Sequence, residues 1–327
     1  MSSLKGSVKS VLERFGLRGA PQPEPVPQEE LLPVKKVETE KKTIVDSYWG
    51  EHTVNSKPFR TARESEDYLV WRVSVYPKLK ELMNLYGEHD GEVILDYGCG
   101  PGNDVVGFAI HTGAKKVIGI DVSPKALALA NHRLALHGVS PDRIELIQSS
   151  DSQTKVPLED SSVDYINCAG VLHHTSDPSA LLKEFHRILR PGSRACIMVY
   201  NRESIWFHLF TAYERMIVQG AFQGLSVEEA FSRNTDGENC PIARCYSAEE
   251  FIASCQEAGF DCEYAGGYLS DTELNSYKKY GKKALGDKRL ADEHKEFIAA
   301  LTFDPEGLPH YQQHYAGIGG VYWLHKK

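Results

Sequence analysis

From about residue 93 onward the chain alternates two textures. Short apolar runs at 93–97, 116–121, 144–149, 163–168 and 194–200 read as buried strands. Between them, apolar residues recur at helical spacing over 105–112, 124–137 and 178–189. Pro124 suits a first helical turn, and Pro191 with Gly192 supplies a stop after the last of these helices. Alternating strands and helices predict a parallel sheet covered on both faces. Residues 247–267 add another helix and strand, and 317–324 a final strand. The expected fold is α/β, a doubly wound, mostly parallel sheet of seven strands with helical insertions.

Ahead of this core the pattern changes three times. Residues 1–19 can form a short amphipathic helix, with Leu4, Val8, Val11, Leu12 and Phe15 on one face and Lys5, Lys9, Arg14 and Arg18 among the rest. This reads either as a frayed terminal helix or as a segment whose residues 4–18 make weak contact with an acidic membrane surface or a partner. Pro21, Pro23, Pro25, Pro27 and Pro33, mixed with Glu, Gln and Lys, make 20–42 a stiff, disordered linker. Residues 43–90 form a helical lead-in, and 91–327 the main domain. Insertions at about 201–246 and 269–316 follow strands, on the side where open α/β sheets bind their ligands.

Composition narrows the class. At 327 residues the chain is long for one domain and short for two, with a soluble protein's balance of apolar and charged residues. A net charge of −8 argues against a nucleic-acid partner held through phosphates. Seven scattered cysteines suit a reducing compartment. Cys240 and Cys245 lack a second ligand pair, so no metal is expected. No apolar run is long enough for a membrane span, and the N-terminus has no signal-peptide core. The expected location is cytoplasmic, with attachment to the inner membrane face left open by the tail. Oligomeric state is not legible.

One stretch carries the chemistry. Residues 93–104 read Val-Ile-Leu-Asp-Tyr-Gly-Cys-Gly-Pro-Gly-Asn-Asp, an apolar run ending in Asp96 and passing into Gly98, Gly100 and Gly102. This is a strand that turns sharply into a helix and leaves its backbone open to a ligand. A second apolar run ends in Asp121 and Val122, about 20 residues past the last glycine, the spacing of a carboxylate that grips ribose hydroxyls. A dinucleotide site wants a sixth-position glycine under its pyrophosphate. Asn103 stands there, and Asp104 adds a charge that would repel phosphate. The motif resembles that of the class I S-adenosylmethionine (SAM)-dependent methyltransferases, an acid followed by G-x-G-x-G. The cofactor's ammonium and sulfonium would suit an acid-rich turn.

Two further motifs extend the resemblance over roughly residues 93–201. Residues 163–178 read Val-Asp-Tyr-Ile-Asn-Cys-Ala-Gly-Val-Leu-His-His-Thr-Ser-Asp-Pro, similar to the large methyltransferase group with a Val-Leu-His-His signature after the fourth strand. Residues 185–192, Phe-His-Arg-Ile-Leu-Arg-Pro-Gly, match its next helix and turn. The resemblance implies an antiparallel last strand. It also implies that Asp151 accepts from the adenine amino group, that the Ser152 backbone helps hold the ring, and that Cys168 and Ala169 offer backbone groups to the methionyl moiety. His173 and His174 fall at the cavity mouth, where a general base would stand, although a positioning role for His173 fits equally well.

The acceptor is less legible. No Asn/Asp-Pro-Pro-aromatic motif follows the fourth strand, where Asn167-Cys-Ala-Gly stands, which argues against DNA and glutamine acceptors. Tyr48, Trp49 and His52 in the lead-in either cover the pocket or pack it against the core. Asn201 and Arg233 are further substrate candidates, with Asp236 and Arg244 left open, in a segment dense in hydrogen-bonding side chains. The expected activity is SAM-dependent methyl transfer to oxygen or nitrogen of a small or carbohydrate-like acceptor. Carbon methylation and a SAM-binding regulatory role without catalysis are the alternatives.

Overall fold

The computed structural model describes residues 31–37, 42–54 and 57–327. The amphipathic segment 4–18 and most of the expected linker lie outside the described residues.

The strands, in chain order, are β1 (Val34–Lys36), β2 (Val93–Tyr97), β3 (Lys116–Asp121), β4 (Ile144–Gln148), β5 (Val163–Ala169), β6 (Leu189–Asn201), β7 (Cys245–Tyr246), β8 (Asp261–Tyr268), β9 (Thr302–Phe303), β10 (Pro309–Tyr311), β11 (His314–Tyr315) and β12 (Gly319–His325). The main sheet runs β1-β4-β3-β2-β5-β6-β12-β8, with β7 beside the end of β6. Pairing is parallel from β1 to β6, and β12 is antiparallel to both its neighbours. The seven expected strands are therefore present, with the last one reversed. β6 begins at Leu189 rather than near 194, because the chain passes from its helix straight into the sheet and takes up Pro191 and Gly192 within the strand.

The lead-in holds α1 (Ile44–Glu51), α2 (Ala62–Val75) and α3 (Leu79–Leu82). The helical lead-in is thus broken between α2 and α3. Pro77 lacks an N–H and drives Tyr76 out of the helical region, to φ −124° and ψ 80°. The sheet is flanked by α4 (Asn103–His111), α5 (Pro124–Leu136) and α6 (Pro178–Ile188). Ser123 caps α5 and Asp177 caps α6, each followed by proline in the first turn.

The insertions form a cap. A wide π-helix, Trp206–Val218, and α7 (Val227–Thr235) come from the first; α9 (Asp271–Gly286) and α10 (Asp292–Ala300) come from the second, after α8 (Ala248–Glu257). Ile205, Leu209 and Tyr213 pack with Tyr280, Ala284, Leu290 and Phe297 in a core separate from the sheet. Buried Glu273 ties the two insertions together, accepting from Trp206 N at 3.1 Å and from Ser270 at the start of α9.

β1 corrects the reading of 20–42 as linker throughout. It adds an edge strand beside β4, and Asn131 of α5 brackets Leu32 through both its amide atoms at 2.9 and 2.7 Å. A chain beginning at residue 31 is expected to melt with the full protein. One beginning at Ile44 should lose roughly 1–3 kcal/mol with these bonds, a drop of several degrees in calorimetry. Equal melting of the two truncated chains would show that β1 contributes nothing.

Candidate active site

The glycine turn opens a cavity of about 540 Å³ at the carboxyl ends of β2 to β6, where open α/β sheets bind ligands. Gly98, Gly100 and Gly102 all have positive φ, at 73°, 53° and 81°. At Gly98 a Cβ would lie 2.2 Å from the Val171 side chain, so the turn against the β5 loop requires glycine there. Gly102 serves packing instead. Its Cβ would meet Ala130 of α5 at 2.8 Å, and Gly102 does not line the cavity.

Asp121 ends β3 at the cavity wall and accepts from Gly100 N and Ser123 N, each at 2.8 Å. It fastens the glycine turn to the start of α5, with Val122 beside it in the lining. Burial raises its pKa against the pull of these amides. Asp96, at the floor, receives Asn167 Nδ2 at 2.8 Å on one oxygen, while its Oδ2 is buried without a partner. Burial, and then the nearby Asp104 carboxylate, push Asp96 well above the usual carboxylate range. A buried acid with an unpaired oxygen at a cavity is suited to a cationic ligand group.

Asp104 does not present a bare charge. Arg72 of α2 grips it with two bonds, at 2.6 and 3.2 Å, and Tyr86 donates to it at 3.0 Å. Burial pushes its pKa up, but Arg72 outweighs this and holds it low. The expected repulsion of phosphate by Asp104 is therefore corrected, since the charge is neutralised from the lead-in. Sequence reading missed Arg72 because its partner lies 32 positions away, with no local motif.

After β4, Asp151 lines the cavity, and its carboxylate accepts from Ser176 N at 2.8 Å and from the Ser176 hydroxyl. The Asp151 amide donates to Asp46 of α1 at 2.8 Å, and Ser150 donates to the same carboxylate at 2.6 Å. The lead-in is thus latched onto the loop expected to hold adenine. The Ser152 amide bonds Ser150 Oγ at 3.2 Å, and Ser152 is not in the lining. Ala169 lines the cavity, while the Cys168 side chain is fully buried in the sheet core and does not line it.

The opposite wall is aromatic. Trp49, Tyr68, Trp71, Tyr76, Tyr200 and Tyr268 line the cavity together with two polar pairs, Arg72 with Asp104 and His174 with Asp236. His174 Nδ1 faces the Ile242 carbonyl oxygen at 2.6 Å. A carbonyl only accepts, so Nδ1 carries the proton and Nε2 presents its lone pair, 3.6 Å from Asp236 Oδ2. Burial holds the His174 pKa low against the pull of Asp236. Tyr200 donates to Asp236 at 2.9 Å, and Tyr48 donates to its backbone oxygen at 2.7 Å.

Other expected site residues stand elsewhere. His173 is fully buried beneath the wall against Tyr200, and burial drives its pKa far down. It touches no cavity space and cannot take an acceptor's proton directly. Asn201 is buried and spends its amide on the Glu203 and Gly317 carbonyls. Arg233 is exposed on α7, and Arg244 donates to the Thr175 carbonyl. Tyr48 stacks on exposed His52 at 4.1 Å, so from that trio Trp49 alone lines the cavity.

A cavity walled by acids, at the strand ends of a sheet whose last strand is reversed, defines a class I, Rossmann-like SAM-dependent methyltransferase. Residues 88–259 match the family described as Methyltransferase domain, and the chain belongs to that family. SAM is its cofactor, as expected. Among similar proteins, the 2-phytyl-1,4-beta-naphthoquinone methyltransferase of Arabidopsis thaliana is 25% identical over 250 residues, 69% of this chain and 94% of that protein. A demethylmenaquinone methyltransferase of Listeria monocytogenes is 30% identical over 190 residues, 55% of this chain and 75% of that protein. An uncharacterized 37.1 kDa protein of a Streptomyces fradiae transposon is 36% identical over 133 residues, 40% of this chain. The chain spans only 36% of that relative's length. In structure, a Haemonchus contortus phosphoethanolamine N-methyltransferase superposes with a TM-score of 0.50 at 14% identity, covering 87% of this chain and 61% of that one. That likeness shows the fold alone.

Proposed function

We propose that the protein transfers a methyl group from SAM to a small, flat, hydroxyl-bearing acceptor held between Trp49, Trp71 and Tyr268. The observation that carries this reading is the aromatic lining that Trp49, Trp71 and Tyr268 share with His174 and Asp236, beside the acid-lined cofactor half. SAM supplies an already activated methyl carbon, so holding the acceptor in line supplies much of the rate. Asp96 would meet the ammonium, Asp121 the ribose, and Asp151 the adenine. The acceptor hydroxyl would lose its proton at the wall formed by His174 and Asp236, leaving oxygen as nucleophile.

A carbohydrate-like acceptor and transfer to nitrogen remain weaker readings. The polar residues of the first insertion suggested a sugar, but of these Asp236 lines the cavity and Arg233 does not. Carbon methylation of a phenol-type ring is the second reading, favoured by the two quinone-methylating relatives. The proposal reads residues 171–174 as the signature of the Val-Leu-His-His group, and 43–90 as a lead-in over the cavity of a catalytic domain at 91–327. All seven cysteines are free thiols, which supports a cytoplasmic location, and no described helix is long and apolar enough to cross a membrane.

Labelled SAM with a panel of phenols, hydroquinones, sugars and amines tests the acceptor. Label on phenolic oxygen is expected; label on sugars alone would overturn the proposal. Asp121→Ala should weaken SAM binding by about 1–3 kcal/mol in calorimetry, the scale for a charged hydrogen bond. Unchanged affinity in a folded variant would remove Asp121 from the site.

Asp96 gives a pH prediction. Its raised pKa means that the cofactor-free protein holds a proton which the arriving ammonium displaces. Binding should release protons, and affinity should rise with pH until Asp96 is ionised on its own. The folded state without cofactor binds more protons here than the unfolded state, so this group's contribution to stability falls as pH rises from the ordinary carboxylate range. Calorimetry in two buffers of different ionisation enthalpy reads the proton count; proton uptake would contradict the assignment.

A further inference from the structure

We propose that His174, Asp236 and Cys240 form a binding site for a divalent transition metal of the zinc type, with one coordination position open to the acceptor half of the cavity. The inference rests on reading this wall as the acceptor side. It makes a metal ion the group that takes up the acceptor's negative charge.

One ligand atom from each residue lies within 4.8 Å of the other two. The set is one imidazole, one carboxylate and one thiol, the donors zinc prefers, and three protein ligands with an open fourth position is the pattern of catalytic rather than structural sites. His174 is already arranged as a ligand. Its Nδ1–H is spent on the Ile242 carbonyl at 2.6 Å, which fixes the ring and aims the Nε2 lone pair toward Asp236. The 3.6 Å between Nε2 and Asp236 Oδ2 is long for a hydrogen bond, but close to the roughly 3.3–3.7 Å that separates ligands around tetrahedral zinc. Tyr200 bonds both Asp236 oxygens at 2.9 Å and orients the carboxylate from behind. The Cys240 thiol is buried and lies 3.9 Å from the imidazole Nδ1, so its side chain must turn toward Nε2 to join the other two ligands. Its sequence distance from His174, 66 positions, hides the set from any spacing motif.

On binding, the Cys240 S–H proton leaves to solvent as the metal–sulfur bond forms. An acceptor O–H then takes the open position and loses its proton to solvent. Its oxygen attacks the methyl carbon of SAM, and the sulfonium C–S bond breaks, with the electron pair leaving on sulfur as S-adenosylhomocysteine.

Cobalt(II) titration of the full-length, chelator-treated protein, without SAM or acceptor, tests the site. One equivalent should bind and produce a thiolate-to-cobalt charge-transfer band. Cys240→Ser should abolish that band, His174→Ala should weaken cobalt binding at least tenfold, and Cys262→Ser, away from the site, should leave both unchanged. Absence of stoichiometric cobalt, or a band that survives Cys240→Ser, overturns the proposal. Because the readout needs no acceptor, loss of the metal site with methyl transfer intact leaves the proposed activity standing. Cobalt binding without transfer to any acceptor supports the site and refutes the activity.

Discussion

Arg72→Ala is expected to destabilise the protein by about 3–5 kcal/mol, the cost of removing one partner from a buried ion pair. The pair is well buried, with the Arg72 side chain 17% exposed and Asp104 7%. Without the guanidinium, the Asp104 carboxylate keeps the Tyr86 hydroxyl and the field of Arg133, but loses the cation hydrogen-bonded to it while Asp96 stays close by. The chain then protonates both acids or gives up the packing of α2. The pair also joins the lead-in to the first turn of α4, so its loss should loosen one wall of the cavity and weaken SAM binding. Urea unfolding and SAM calorimetry on the same variant read the two effects. A loss below 1 kcal/mol would mean that water replaces the guanidinium, and that the lead-in is held by α1 and its aromatic residues. Replacing Arg72 and Asp104 together by apolar residues of similar volume should restore much of the stability, because no charge is then left unpaired.

The contrast between Asp121 and Arg72 shows what the sequence could reveal. Asp121 was legible because its function is local: a strand end, a glycine turn and a fixed spacing along one chain segment. The sheet was legible for the same reason, since each buried strand is a continuous apolar run bounded by helix signals. Arg72, Asp46 and Tyr200 acquire their meaning only through partners 32, 105 and 36 positions away, and no periodicity marks such pairs. β1 escaped notice because three residues, Val-Lys-Lys, among prolines carry no strand signal of their own. Its pairing comes from the exposed edge of β4 and the grip of Asn131 on Leu32.

The two adjacent histidines separate on the same principle. In sequence His173 and His174 are interchangeable, and both fall after the strand where an acceptor would sit. The short turn at 172–174 sends one ring into the core and the other to the wall. His173 has no hydrogen-bond partner on either nitrogen and packs on Tyr200 at 3.9 Å between ring centroids. It acts as a filled volume beneath the wall.

His174→Asn is therefore expected to lower kcat by about 100- to 10,000-fold while leaving SAM affinity within about twofold, the range for losing a positioned group that handles the acceptor's proton. Asparagine can still donate to the Ile242 carbonyl, so the loop should stay in place. What disappears is the Nε2 lone pair, the group the wall offers to a proton and to a metal ion alike. Asp236→Asn should act in the same direction but less strongly, since it leaves that lone pair and removes only the charge beside it. His173→Asn should instead lower stability by putting a polar amide into a buried, partnerless position, with kcat changed much less than in His174→Asn. Single-turnover kinetics with saturating SAM separate these outcomes. If His174→Asn turns over normally, the wall does not activate the acceptor, and the substrate must be an amine or another nucleophile that needs no deprotonation.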